Sequence, residues 1–259
     1  SGILWNATQI RNSLHQPQNL YLKEEADVKR VDGSNFIASL EHSYQTVGMD
    51  ETLIITRSNK KAFLYANGIR SRVLYREEKL ENSDWLMVVK NNYSYGQDYG
   101  IELIANGDMA EVVRLRRSHS LYDMTFVEAT IRLVDYGAEI DVLLLEDSLL
   151  CESPQDLAQL QKKLFLAIEE DYAHIRNKRE RYKKMRQDEH LNALLVRMAY
   201  AVTCHKAQGG QWKHVYVDMG PIAKENTDKV FMRWLYTAFT RATEKLYLIQ
   251  FSDDFFKKS

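Results

Sequence analysis

The stretch Ala199–Gly220, AYAVTCHKAQGGQWKHVYVDMG, decides how the rest of the chain is read. An apolar run stops at Thr203, His205, Lys206 and Gln208, passes through Gly209 and Gly210, and resumes as VYVD at Val215–Asp218. This pattern predicts a strand, a polar turn and a second strand. In an open α/β sheet the groups at the carboxyl end of a strand line the ligand crevice. A hydroxyl, an imidazole, an ammonium and an amide in that place point to a ligand that carries phosphate.

Working outward, the same design recurs upstream. Leu53, Ile54 and Ile55 form a short apolar strand that ends in Thr56, Arg57, Ser58 and Asn59, followed by the helical KKAFLYANGIR. Before it, Ile3–Leu14 has helical spacing and stops near Pro17. A polar stretch, Lys23–Gly33, then leads to Ser34, the expected N-cap of a helix carrying Phe36, Ile37, Leu40 and Tyr44. Downstream, Asn226 or Thr227 is the expected cap of a helix with Val230, Trp234, Leu235, Ala238 and Phe239 on one face. That helix ends near Arg241, and LYLIQF, Leu246–Phe251, closes the sheet and sets Arg241 at its mouth.

Between these α/β segments the texture changes. From Trp85 to Leu150 the sequence alternates and turns tightly at Asn106, Gly107 and Asp108, which predicts a small antiparallel barrel or sandwich inserted into the first fold. After Pro154 a helix with Leu157, Leu160, Leu164, Phe165, Ile168, Tyr172 and Ile175 on one face runs on into the basic RNKRERYKKMR, a pattern that most simply makes a solvated helix face. The expected organisation is residues 1–82 as the first part of the α/β domain, 83–185 as the insertion with its helical return, and 186–259 as the second part.

Composition narrows the chemistry. The chain has 259 residues, 45% of them hydrophobic, enough for a real core. Lys plus Arg (35) nearly balances Asp plus Glu (36), so the net charge of -1 gives no global field for a polyanion, and a nucleic-acid site must be a local groove. No apolar run approaches the roughly 20 residues of a membrane helix, and no signal-peptide order opens the chain, so no membrane partner and a cytoplasmic setting are expected. The two cysteines, Cys151 and Cys204, form no C-x-x-C pattern, which fits a reducing compartment and speaks against a structural zinc site. The sequence holds no G-x-x-x-x-G-K-[ST] phosphate loop, so the usual nucleotide-hydrolysing apparatus is not carried by these residues alone.

AYAVTCHKAQGGQW resembles the fifth helicase motif of superfamily 1, and LYTAFTRATEKLYLI, Leu235–Ile249, resembles the sixth. ITRSNKKA, Ile55–Ala62, looks like the opening strand of the second RecA-like domain of that superfamily. WLMVVKNNY and IANGDMAEVV resemble the small Src-homology-three-like β-barrel inserted in its RecD-like branch, the exodeoxyribonuclease V alpha type. The opening SGILWNATQIR looks like the segment after the fourth motif. The resemblance covers almost the whole chain. It implies an α/β fold with a RecA-like parallel sheet of the phosphate-loop NTPase type, here the second helicase domain with no phosphate loop of its own. It further implies the C-terminal motor domain of an ATP-dependent DNA helicase moving 5′ to 3′, unable to hydrolyse ATP alone.

The implied partners are single-stranded DNA, the first RecA-like domain, which brings the phosphate loop and magnesium, and other subunits of a repair or recombination complex, often an exonuclease. ATP and Mg are thus cofactors of the intact protein, and none is expected on this chain alone. Arg241 is the implied arginine finger, since a planar guanidinium reaches two γ-phosphate oxygens and keeps its proton. Gln208, Gly209, Gly210 and Gln211 would lie by the nucleotide. Many relatives have glutamate where this chain has Gln211, and an amide supplies no charge to the nucleotide sugar. Thr56, Arg57, Ser58 and Asn59, with Thr203, His205 and Lys206, would hold successive strand phosphates, which positions a strand without reading its sequence. Lys90, Asn91, Asn92 and Tyr93 would add contacts from the barrel.

Three other readings remain open at this point. Glu128, Asp135, Glu139, Asp141, Glu146 and Asp147 invite a metal-dependent nuclease, although their alternation with apolar residues suits the outer face of strands, and no metal site is expected. Cys204 with His205 or His214 invites a thiol hydrolase, although neighbours on a strand point to opposite faces. The third is a passive single-stranded nucleic-acid binding module.

Overall fold

In a computed structural model that describes residues 1–257, the chain divides into two compact units, Ser1–Tyr75 with the described residues from Tyr200 onward, and Arg76–Ala199. In chain order the first unit contributes α1 (Gly2–Asn12), β1 (Val28–Val31), α2 (Phe36–Val47), β2 (Thr52–Thr56) and α3 (Asn59–Arg72). The second holds β3 (Trp85–Val88), β4 (Met109–Leu121), β5 (Met124–Leu133), β6 (Ala138–Leu145), α4 (Pro154–Asp171), α5 (Lys178–Met185) and β7 (Val196–Met198). The first unit resumes with β8 (Ala201–Thr203), β9 (Trp212–Asp218), α6 (Lys229–Phe239) and β10 (Ala242–Ile249).

The first unit is built on a five-stranded sheet in the order β1-β10-β9-β2-β8, and every pairing is parallel. Strands buried on both faces read as unbroken apolar runs, and β2, TLIIT, is buried at all five positions. The strand β1, VKRV, was not expected inside the polar Lys23–Gly33 stretch. It pairs on one side only, with β10, and its two central residues stay exposed, so its sequence lacks the apolar signature. Two caps also differ from expectation. Asn35 rather than Ser34 precedes α2, because the Ser34 hydroxyl is turned back to Asp32. Asp228, not Asn226 or Thr227, caps α6 by accepting from the Phe231 amide at 2.7 Å.

The second unit is a five-stranded antiparallel sheet in the order β6-β5-β4-β3-β7. Its edge strands approach each other where Leu144 bridges Leu194, with the Leu194 amide donating to the Leu143 carbonyl at 2.8 Å. One core lies among Leu86, Val88, Val112, Ile131, Ile140 and Val196. A second, around Phe126, Leu145, Leu157, Leu164 and Ile168, buries the inner face of α4. The boundaries expected at 82/83 and 185/186 fall instead at 75/76 and 199/200. Residues 186–199 belong to the insertion because β7 hydrogen-bonds to β3. The expected continuous helix is also two helices: α4 ends at Asp171, and α5 starts afresh under the Asn177 side chain, which accepts from the Arg179 and Glu180 amides.

Candidate nucleotide and strand site

The loop that leaves β8 does not stay at one edge of the sheet. Thr203 ends β8 beside Thr56 at the carboxyl end of β2, whereas Trp212 begins β9 and pairs with Ala242 at the start of β10. Because β8 and β9 both run parallel to β2, which lies between them, residues 204–211 cross from the carboxyl edge back to the amino edge. β9 itself is seven residues long, so the two edges stand about 20 Å apart. This corrects the expectation that Arg241 sits at the same sheet mouth as Thr203. A residue just before a parallel strand lies at its amino end.

At that amino edge Arg241 is held firmly. Its Nε donates to the Thr237 carbonyl at 3.1 Å, Nη1 to the Gly210 carbonyl at 2.9 Å, and Nη2 to the Thr240 hydroxyl at 3.2 Å. Its own carbonyl accepts from the Trp212 amide at 2.9 Å. A guanidinium carries five N–H groups, so one on each terminal nitrogen is left to face a ligand, which is the fork that a phosphoryl group needs. Gly210 leaves room for the Trp212 ring: a Cβ there would lie 2.3 Å from the far end of that ring and would force it to move. Gly209 takes φ +86, a backbone that only glycine adopts cheaply, with open space around it. Gln208 and Gln211 are exposed on either side of this glycine pair. Thr237, Thr240 and Trp212 were not singled out in the sequence. The sixth-motif resemblance contained the two threonines, and only the fold shows that they seat the arginine.

The carboxyl edge gathers another part of the expected set. Thr56 and Thr203 are register partners on adjacent strands, and Arg57, Ser58 and Asn59 follow at the start of α3. Arg57 is exposed, with its guanidinium carbon 5.5 Å from the Phe231 ring centroid and 5.9 Å from that of Trp234. Ser58 caps α3 by accepting from the Lys61 amide, and His205 is exposed at the first turn of the crossing loop. Lys206, half-buried, begins the tight turn with its amide on the Thr203 carbonyl. Thr56 does not fit its expected role: it is fully buried and its hydroxyl donates to the Ser58 carbonyl at 2.9 Å, so it shapes the turn rather than offering a free donor. A group missed in the sequence completes this edge. Asp218, fully buried at the end of β9, accepts from Tyr65 at 2.6 Å and pairs with Lys61 at 2.9 Å, tying α3 to the sheet. The terminal Asp of VYVD was its only signal.

Lys90, Asn91, Asn92 and Tyr93 belong to the other compact unit. Lys90 and Tyr93 are exposed. Asn92 is 8% exposed, and its amide is consumed by the fold: Nδ2 donates to the Asn192 carbonyl and Oδ1 accepts from the Ser94 amide. Asn91 Oδ1 accepts from the Asn106 amide. The asparagines therefore pin a loop.

Two rival sites dissolve in the same geometry. The Cys204 thiol is buried, donates to the Trp234 carbonyl and is pushed up to about 11 by burial, and the His214 ring is locked to Ser43, so no nucleophile and base meet. Asp141 pairs with Arg116 and Glu139 with Arg132 on the outer face of the second sheet. Among the described residues no group of three or more His, Cys, Asp or Glu side chains is placed to hold a metal ion.

Comparison with known proteins bears on the segment that carries both edges. Residues 198–249 match the UvrD-like helicase C-terminal domain. This helicase-like segment runs from the end of β7 through β8, β9, α6 and β10, and so contains the crossing loop, Arg241 and the aromatic pair under Arg57. Among solved structures, the chain aligns with Pif1 helicase from Candida albicans at 11% identity and TM-score 0.46, over 98% of this chain and 55% of that one. It aligns with Pif1 helicase from Bacteroides in complex with ADP-AlF3 and ssDNA at 12% identity and TM-score 0.44, over 97% and 51%. A third match, to a structure of two coordinating Pif1 helicases unwinding forked dsDNA, has 12% identity and TM-score 0.43, over 97% and 49%. The chain spans about half the length of these structures. Comparison with curated protein sequences gives no match.

Proposed function

We propose that this chain is the C-terminal motor domain of an ATP-dependent, RecD-like superfamily 1 DNA helicase that moves 5′ to 3′. Its amino edge would complete an ATP site, and its carboxyl edge would hold a single strand. What carries the reading is α6, which has Phe231 and Trp234 beneath Arg57 at one end and the Thr237–Thr240–Arg241 seat at the other. An 11-residue helix is a rod of about 16 Å, so it can connect the two edges rigidly. The helicase match of residues 198–249 supports the class.

ATP with Mg, held mainly by a first RecA-like domain, supplies the phosphoryl group and part of the charge neutralisation. This chain's share is Arg241, already oriented by Gly210 and Thr240, which places two N–H groups where charge grows on the γ-phosphate. Gly209 and Gly210 let the backbone approach the nucleotide closely. Arg57, Ser58, Thr203, His205 and Lys206 would grip the strand by its phosphates, as translocation over any sequence requires. We read the inserted unit as a small Src-homology-three-like barrel, which the Leu144–Leu194 bridge between its edge strands supports. The reading places the parent in the cytoplasm, in DNA repair or recombination, beside other subunits of an exonuclease-type complex.

The test is Arg241→Ala in the parent protein. Strand-stimulated ATP hydrolysis is expected to fall by about a thousandfold or more while nucleotide binding persists. An undiminished rate would remove the finger assignment. The 259-residue chain by itself is expected to bind single-stranded DNA without hydrolysing ATP.

A further inference from the structure

The basic stretch Arg176–Arg186 carries seven Lys and Arg side chains against one Glu, in a chain whose net charge is -1. The fold turns this run into a surface of defined geometry. Met185, 1% exposed, anchors α5 to the apolar cluster beneath α4. On a helix of 3.6 residues per turn, Arg179, Lys183 and Arg186, spaced i, i+4 and i+7, then fall on one stripe away from Met185. All three are exposed. Among the described residues no carboxylate lies within ion-pair distance of the seven cations. Such concentrated charge is solvated when nothing covers it, and it attracts a polyanion locally in a chain without a global field.

We infer that α5 is a docking surface for the phosphate backbone of duplex nucleic acid, separate from the single-strand contacts of the sheet edge. The three-cation stripe is about 10 Å long, or about three steps at roughly 3.4 Å of axial rise per strand, so each cation can reach a different phosphate. The aromatic chemistry favours a duplex over a single strand. Single strands are held largely by stacking of their bases on exposed rings. The one ring of this stretch, Tyr182, is 36% exposed but fixed against α4: its hydroxyl donates to Glu169 and its ring centroid lies 6.2 Å from that of Phe165. A membrane surface fits less well, because the apolar side of α5 is turned inward at Met185 and leaves no face to insert. The choice of a nucleic acid as the polyanion rests on the helicase reading, but the site does not use any residue of the proposed motor edges.

The test is fluorescence anisotropy of the 259-residue chain with a blunt 20-base-pair DNA duplex, and separately with an oligo-dT strand, from 50 to 200 mM salt. Neutralising three phosphate contacts should contribute a salt slope of about -2.7, which is about a 40-fold fall in duplex affinity across that range. The variant R179Q/K183Q/R186Q is expected to lose that slope and at least tenfold of duplex affinity at 50 mM salt, while oligo-dT binding is kept. R179K/R186K, which keeps the charges, should retain duplex binding and thereby separates charge from any effect on folding. Duplex affinity and slope unchanged in the glutamine variant would overturn the inference. So would loss of binding to phosphatidylserine vesicles with duplex binding intact, which would assign the surface to a membrane. Loss of oligo-dT binding on Arg57→Ala, with duplex binding intact, would support the separate strand site, whereas oligo-dT binding that never depended on Arg57 would count against the strand-edge reading alone.

Discussion

At the residue scale, one imidazole shows how the core of the first unit is specified. His214 lies on β9, 4% exposed, with Nδ1 at 2.8 Å from the Ser43 hydroxyl, which in turn lies 2.8 Å from the Tyr216 hydroxyl. Ser39 bonds to the same tyrosine, so a short polar chain fastens α2 onto the sheet. Burial holds His214 below the usual histidine range, with Glu244 opposing and Lys245, His42 and Lys213 assisting. The folded state therefore prefers the neutral ring. As pH falls below about 6.5 the unfolded chain takes up a proton that the folded chain refuses, so this contribution to stability is complete above that pH and shrinks below it. Urea midpoints measured at pH 7.5 and 5.5 should fall more for the natural chain than for His214→Gln. Equal falls would show that the ring does not set the acid limb.

At the element scale, α6 has the most to lose. Its first turn depends on the Asp228 side chain, and its last residues form the seat of Arg241. Asp228→Ala should cost about 1 kcal/mol of stability by leaving the Phe231 amide without its acceptor, and Asp228→Asn should recover most of it because an amide oxygen caps equally well. Denaturant midpoints of the two variants check this, and an asparagine variant as unstable as the alanine one would mean that charge rather than capping matters. The elements also show where local sequence runs out. The strand β1 is invisible because both of its middle side chains are exposed and its partner, β10, lies more than 200 residues away. The break between α4 and α5 is marked only by Asn177, one polar residue within an otherwise helical composition. By contrast β2 and the buried runs Val215–Val217 of β9 and Leu246–Ile249 of β10 are legible, since parallel strands buried on both sides read as continuous apolar runs.

At the scale of the whole molecule, the inserted unit carries its own two apolar clusters, and its first and last strands, β3 and β7, pair with each other. Excised as residues 76–199, it should therefore fold alone and unfold in a single cooperative transition. A broad, non-cooperative melt of that fragment would show that its cores are not self-sufficient. The surface charge follows the same division of labour: the sheet edges of the first unit present single cations such as Arg57, whereas the insertion concentrates seven on and beside α5.

By itself the amino-acid sequence determined that two α/β segments flank a β-rich insertion. It also determined that Thr203–Gln211, Thr56–Asn59 and Arg241 are the polar ends of apolar elements, because hydrophobic periodicity and turn residues act over a few positions. Only the tertiary structure decided which of these meet. Strand pairing placed β8 and β9 on either side of β2 and parallel to it, and that parallel direction sends the loop across the sheet. It brings Gly210 to Arg241 and leaves Thr203 beside Thr56, about 20 Å away. Strand order is set by packing between residues far apart in the chain, which no local pattern records.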